Sequence, residues 1–183
     1  APDTRLRILF LGRLESLKRC REFIDALLSL SIERDRIRAI IVGAGNEEAT
    51  LRALVEQAGA EDYITFLGAL PHDRIGEVLN QADVYVSLNR QGNLSNANLE
   101  AMTAGLCFVI PEADPSTGTD VETRDVIPEE AAIRISQERI VEGLAETLAM
   151  LAQTPQEVAA RRAAMARAGG GLNTWAERIA VEM

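Results

Sequence analysis

The sequence predicts an α/β fold, a doubly wound, parallel, six-stranded Rossmann-like sheet in the order 3-2-1-4-5-6. Two observations point there. Short apolar runs closed by Gly or small polar turns recur along the chain, and most are followed by a stretch whose apolar residues fall at helical spacing. Strands alternating with such helices bury both sheet faces and favour parallel pairing. Right-handed crossovers then make the doubly wound order the simplest topology.

Arg5 to Leu11 is an apolar run closed by Gly12 and reads as the first strand. Cys20, Phe23, Ile24, Leu27 and Leu28 follow at helical spacing, which predicts a helix from Lys18 to about Ser31. Arg38 to Val42 is the second strand. It ends in Gly43-Ala44-Gly45, with Asn46 as the expected cap of a helix carrying Leu51, Leu54, Val55 and Ala58. Tyr63 to Leu67 is the third strand, and Pro71 and His72 open a helix with Ile75, Val78, Leu79 and Ala82 inward. Asp83 to Leu88 is the fourth strand. The small polar loop from Gly92 then leads into a helix carrying Glu100, and Cys107 to Ile110 forms the fifth strand. Pro111 to Glu130 is irregular, with a short helix expected near Val121 to Asp125, and Ala131 to Ile135 is the sixth strand. Ser136 caps a helix with Val141, Leu144, Ala145 and Leu148 inward. Thr154-Pro155-Gln156-Glu157 has the form of a capping box with Pro at the first helical position. Gly169-Gly170-Gly171 is expected to stop that helix before a short last one bearing Trp175.

Residues 1–183 are expected to form one domain, a length sufficient for a full hydrophobic core. The opening Ala1-Pro2-Asp3-Thr4 reads as the tail of a linker, so a longer parent protein is expected. A formal charge of −9 argues against binding nucleic acid or anionic lipid through the overall field. An anionic ligand would need a local cluster of cations and N–H groups. Cys20 and Cys107 lie in apolar patterns and read as buried free thiols, in keeping with a cytoplasmic location. No apolar run is long enough to span a bilayer. No metal site is expected, because the two cysteines and one histidine are scattered at unrelated spacings, and no cofactor is expected either.

The expected order sets the first strand beside the fourth, so the loop Gly12 to Lys18 faces the loop Gly92 to Asn96 across the switch point, where open α/β sheets bind ligands. Arg13 and Lys18 beside one helix start, opposed by a second, suit a diphosphate. Charge-assisted hydrogen bonds contribute roughly 1.5–3 kcal/mol each, a large part of the about 8 kcal/mol of a micromolar complex. Glu100 cannot assist a phosphate by charge, and suits the paired hydroxyls of a ribose. Each cation also reads as an ordinary solvated helix start, and Glu100 as a surface helix residue. His72, the only histidine, reads as a capping or surface residue, and Asp62 and Asp83 as turn residues.

Five blocks carry a resemblance: ILFLGRLESLKR, IIVGAGNEEATLRAL, ITFLGALPHDRIGEVLNQADVYVSLN, NLSNANLEAMTAG and the Trp175 segment. In this order they resemble the C-terminal, donor-binding half of the retaining, two-domain GT-B glycosyltransferases of family 4, also called group 1. The resemblance runs from about Ile8 to Ile110. It implies that Gly12, Arg13, Lys18 and the backbone at Asn96 and Ala97 hold the donor diphosphate. It assigns the ribose to Glu100, as second Glu of the family's Glu-(seven residues)-Glu signature, and the base to the backbone at Ala69 and Leu70. The first signature Glu is replaced by Gly92, so the sugar side, Gly92 and Asn93, departs from the family pattern. The implied partners are a UDP-, GDP- or ADP-linked sugar and an N-terminal acceptor domain absent from this chain. Through that domain the parent protein has room for peripheral attachment at the inner membrane. The resemblance also implies that no complete catalytic apparatus lies in this segment, which alone should be inactive. Two alternatives remain open: half of a nucleotide-sugar epimerase or sugar phosphorylase, or a noncatalytic nucleotide-binding or interaction domain. A phosphorylase would need a lysine for its pyridoxal cofactor, and Lys18 is the only lysine.

Overall fold

A computed structural model describes residues 3–30, 34–90, 92, 95–116 and 126–182, with side chains through residue 169. The strands are β1 (Leu6–Leu11), β2 (Ile37–Val42), β3 (Ile64–Gly68), β4 (Val84–Val86), β5 (Cys107–Pro111) and β6 (Ala132–Ile135). They form one sheet in the order β3-β2-β1-β4-β5-β6, as expected. Every pairing is parallel. The helices are α1 (Cys20–Leu28), α2 (Glu48–Gln57), α3 (His72–Gln81), α4 (Asn96–Thr103), α5 (Ile140–Gln153) and α6 (Pro155–Glu182).

Residue alternation along the strands divides the interior into two cores. Ile8, Phe10, Val84, Val86, Cys107 and Val109 point to one face and pack with Phe23, Ile24, Leu27, Leu51, Leu144 and Leu148 from α1, α2 and α5. Leu9, Tyr85, Phe108 and Ile110 point to the other, against Leu79, Met102 and Met165 from α3, α4 and α6. Because both faces are covered, the central strands read as continuous apolar runs.

Several local expectations are corrected. Helix α1 begins at Cys20 rather than Lys18, because Ser16–Lys18 form a 3₁₀ turn and Arg19 takes a left-handed φ of 55°. Asn46 does not cap α2. Glu47 is the N-cap and makes no side-chain cap bond, while the N–H of Glu48 donates to the carbonyl of Gly45 at 3.2 Å. Strand β4 is shorter than Asp83 to Leu88. Asp83 is no simple turn residue, since its carboxylate accepts from Arg7 at 2.8 Å and Arg162 at 3.0 Å, tying β1 to α6. Burial alone would raise the Asp83 pKa, but the hydrogen bonds from Arg7 and the charges of Arg7 and Arg162 outweigh it and hold it below the usual range.

Pro155 is the first residue of α6, as expected, yet the capping box does not form. Thr154 follows α5 directly, and its hydroxyl donates to the carbonyl of Met150 at 2.7 Å instead of serving the next helix. The three glycines do not end α6, which continues to Glu182. Glycine inside a helix costs only about 1 kcal/mol against alanine, and here it fills a packing need. A Cβ at Gly169 would lie 2.7 Å from the carbonyl oxygen of Met102, so only glycine lets α6 rest on the end of α4. Asn93, the helix expected near Val121 to Asp125, and the Trp175 side chain lie outside what is described. Among the described residues no helix is long and apolar enough to cross a membrane.

Candidate functional site

The carboxyl ends of β1, β2 and β3 are joined by backbone hydrogen bonds. The N–H of Gly12 donates to Val42 at 3.0 Å, that of Gly43 to Gly68 at 2.9 Å, and that of Leu14 to Ala44 at 2.9 Å. Glycine is required at this crest. A Cβ on Gly45 would lie 2.2 Å from the carbonyl oxygen of Leu14, and Gly43, at φ +140°, is held as closely against Gly12. The β1–α1 loop is therefore seated on the β2–α2 loop by backbone contact, which presents Arg13 and Lys18 from a fixed support.

Across the switch point, the N–H of Arg90 donates to the carbonyl of Leu17 at 3.0 Å. The Arg90 guanidinium adds a 3.2 Å contact to Glu22 on α1. The loop carrying the lysine and the loop entering α4 are thus bonded neighbours. Beneath them the Tyr85 hydroxyl is buried and donates to Oδ1 of Asn98 at 2.9 Å, while lying 3.4 Å from the carbonyl oxygen of Leu11. Burial raises the Tyr85 pKa, so this hydroxyl keeps its proton and remains a donor. It links the end of β1 to the first turn of α4.

Ser95 caps α4 by accepting from the N–H of Asn98. The N–H groups of Asn96 and Ala97, the first two of the helix, have no acceptor among the described residues. Such orphan donors at the positive end of a helix suit an anion. On the facing loop, Lys18 has no carboxylate within ion-pairing distance among the described residues. Its pKa is lowered, first by burial and then by the neighbouring charge of Arg13, with Glu15 opposing weakly. A cation close enough to disfavour the charge of Lys18 makes, together with it, a site that an anion relieves. Arg13 is 72% exposed and reaches Glu15 at 3.3 Å.

Leu11, Gly12, Arg13, Val42, Gly43, Ala44, Ala69, Leu70 and Ile75 line one cleft of about 270 Å³, so residues expected for diphosphate and base share a wall. Glu100 lies in a second groove of about 490 Å³ between α3 and α4, together with His72, Leu79, Leu99 and Ile75, the last common to both cavities. His72 is on the surface, as expected, with Nδ1 3.4 Å from Oε1 of Glu100. Gly92 has a φ of 121°, and its carbonyl accepts from the Asn89 side chain at 2.6 Å. A glutamate there would be strained in its backbone.

The family model for "Glycosyl transferases group 1" matches residues 1–120. The chain belongs to that family. Among curated relatives it is 30% identical over 117 residues to the 2-deoxystreptamine glucosyltransferase of Streptomyces kanamyceticus, covering 58% of this chain and 30% of the relative. It is 31% identical over 115 residues to the putative colanic acid biosynthesis glycosyltransferase WcaL of Escherichia coli, covering 60% of this chain and 28% of that protein. The match thus spans less than a third of the length of these relatives. The fold matches the catalytic domain of the Helicobacter pylori cholesterol-alpha-glucosyltransferase with a TM-score of 0.75 at 19% identity, over 92% of this chain and 99% of that one. Anabaena Alr3699/HepE, solved with UDP and glucose, matches with a TM-score of 0.77 at 18% identity, over 98% of this chain and 48% of that one.

In this group 1 glycosyltransferase chain, three residues that hold these loops together were not singled out in the sequence. Tyr85 is visible in retrospect as a hydroxyl-bearing ring inside an apolar strand, and Asn98 as a polar residue three positions after a capping serine. Arg90 carries no such signal, because its role is a backbone bond.

Proposed function

We propose that this chain is a single donor-binding domain of a retaining glycosyltransferase, whose sugar comes from a nucleotide diphosphate and whose acceptor site belongs to a domain outside it. The observation that supports the reading is the hydrogen bond between Arg90 and Leu17, which sets the loop of Lys18 against the loop that enters α4. In this reading Arg13, Lys18 and the N–H groups of Asn96 and Ala97 hold the diphosphate, with Gly12 allowing its close approach. Glu100 accepts from the ribose hydroxyls, the base lies along the backbone at Ala69 and Leu70, and the sugar lies toward Gly92 and Asn93. As the glycosidic bond breaks, charge gathers on the leaving diphosphate, and fixed cations and helix dipoles stabilise it most at that moment. The structural relatives solved with UDP make UDP the first nucleotide to try. A cytoplasmic location belongs to the same reading.

Calorimetric titration with UDP, GDP and ADP tests it. One of them should bind, and Arg13→Ala should weaken it about tenfold or more, the loss of one charge-assisted hydrogen bond. Equal affinity in Arg13→Ala would remove the diphosphate from this loop. The glycine at the first signature position favours a second reading, a nucleotide-binding domain without catalysis. Binding of the free nucleotide with no added affinity for any nucleotide sugar would select it.

A further inference from the structure

Glu100 and His72 come from different helices and line one groove. Nδ1 of His72 is 3.4 Å from Oε1 of Glu100, with the histidine 88% exposed and the carboxylate 30% exposed. Nδ1 is the ring nitrogen that faces the carboxylate, and it offers a donor there in the imidazolium or the Nδ1–H tautomer. A glutamate side chain has three rotatable bonds, so aiming it at a diol costs rotamer entropy unless something already restrains it. A carboxylate also has more acceptor positions than two hydroxyls use, so one oxygen can face His72 while the group still receives a ribose.

We propose that His72 is a positioning residue that holds Glu100 in the orientation needed for the ribose diol, so that α3 and α4 together set the preference for ribonucleotides over deoxyribonucleotides. The inference rests on the reading of Glu100 as the ribose ligand. It adds a residue to the site from outside the signature and gives the sole histidine a role.

The test is calorimetric titration of this chain and its His72→Ala, His72→Asn and Glu100→Gln variants at pH 7, with UDP, GDP and ADP and their 2′-deoxy counterparts. Asparagine places an N–H donor where Nδ1 stands. The wild type should prefer the ribonucleotide by about tenfold, and Glu100→Gln should lose most of that preference. His72→Ala should narrow it by about two- to fivefold, the range of an exposed pair, through weaker ribonucleotide binding alone, and His72→Asn should restore it. A preference unchanged in His72→Ala, or equal weakening of both nucleotides, overturns the role of His72 while leaving Glu100 in place. No preference in the wild type, or none lost in Glu100→Gln, overturns the ribose reading and this inference with it.

Discussion

Lys18 is where single-residue chemistry tells most. Its amine is partly buried beside Arg13, and both effects lower its pKa from 10.5. A diphosphate bound as proposed would bring negative charge to the same place and raise that pKa again. The complex therefore carries more protons than the free chain wherever free Lys18 is titrating, and by linkage the affinity falls as pH rises. Nucleotide diphosphate affinity should be level just above pH 7, where the terminal phosphate, with a pKa of about 6, is already ionised. It should then decline in the alkaline range, starting below the pH at which an ordinary lysine would lose its proton. Lys18→Met should bind about tenfold more weakly at neutral pH and show no decline, because Arg13 keeps its charge throughout. Titrations from pH 7.5 to 10 check this, and an unchanged slope in the variant would take Lys18 out of the site. The two cysteines play no such part: burial raises both thiols, Cys107 to about 12, so neither is a nucleophile at neutral pH.

Between neighbouring elements, the glycines at the crest matter more than any cap. Gly45 has no room for a methyl group, since the Leu14 carbonyl oxygen would lie 2.2 Å from it. Gly45→Ala must push the β1–α1 loop off the β2–α2 loop and break the bond from the Glu47 N–H to the Leu14 carbonyl. Overpacking of this kind costs about 1–3 kcal/mol, and it should displace Arg13 and Lys18 as well. Thermal melting and UDP titration of the same variant should show both losses, whereas a stability loss with intact binding would mean that the two loops act independently. Sequence alone marked Gly12, Gly43 and Gly45 as turns, because turn glycines are local signals. It misjudged Gly169, whose reason is the carbonyl of Met102 on another helix, and Thr154, whose hydroxyl was taken by the preceding helix. The left-handed Arg19 and the His72–Glu100 contact were equally illegible, since each depends on what stands opposite in space.

For the molecule as a whole, strand order was legible because few topologies survive alternating elements and right-handed crossovers. The facing of the two loops followed from β1 pairing with β4, through Ile8 and Val84, Leu9 and Tyr85, and Phe10 and Val86. Arg13 and His72, in the two cavities of the proposed donor site, are 72% and 88% exposed. A reacting sugar held there would meet bulk water, which screens the cations and competes with any acceptor. The chain should therefore bind nucleotide diphosphate yet transfer no sugar from UDP-, GDP- or ADP-glucose to added acceptors, with donor hydrolysis no faster than in buffer. Product analysis after prolonged incubation checks this. Transfer at a rate typical of enzymes, on the order of 1 s⁻¹ or more, would mean that so exposed a site suffices and that no second domain need close over it.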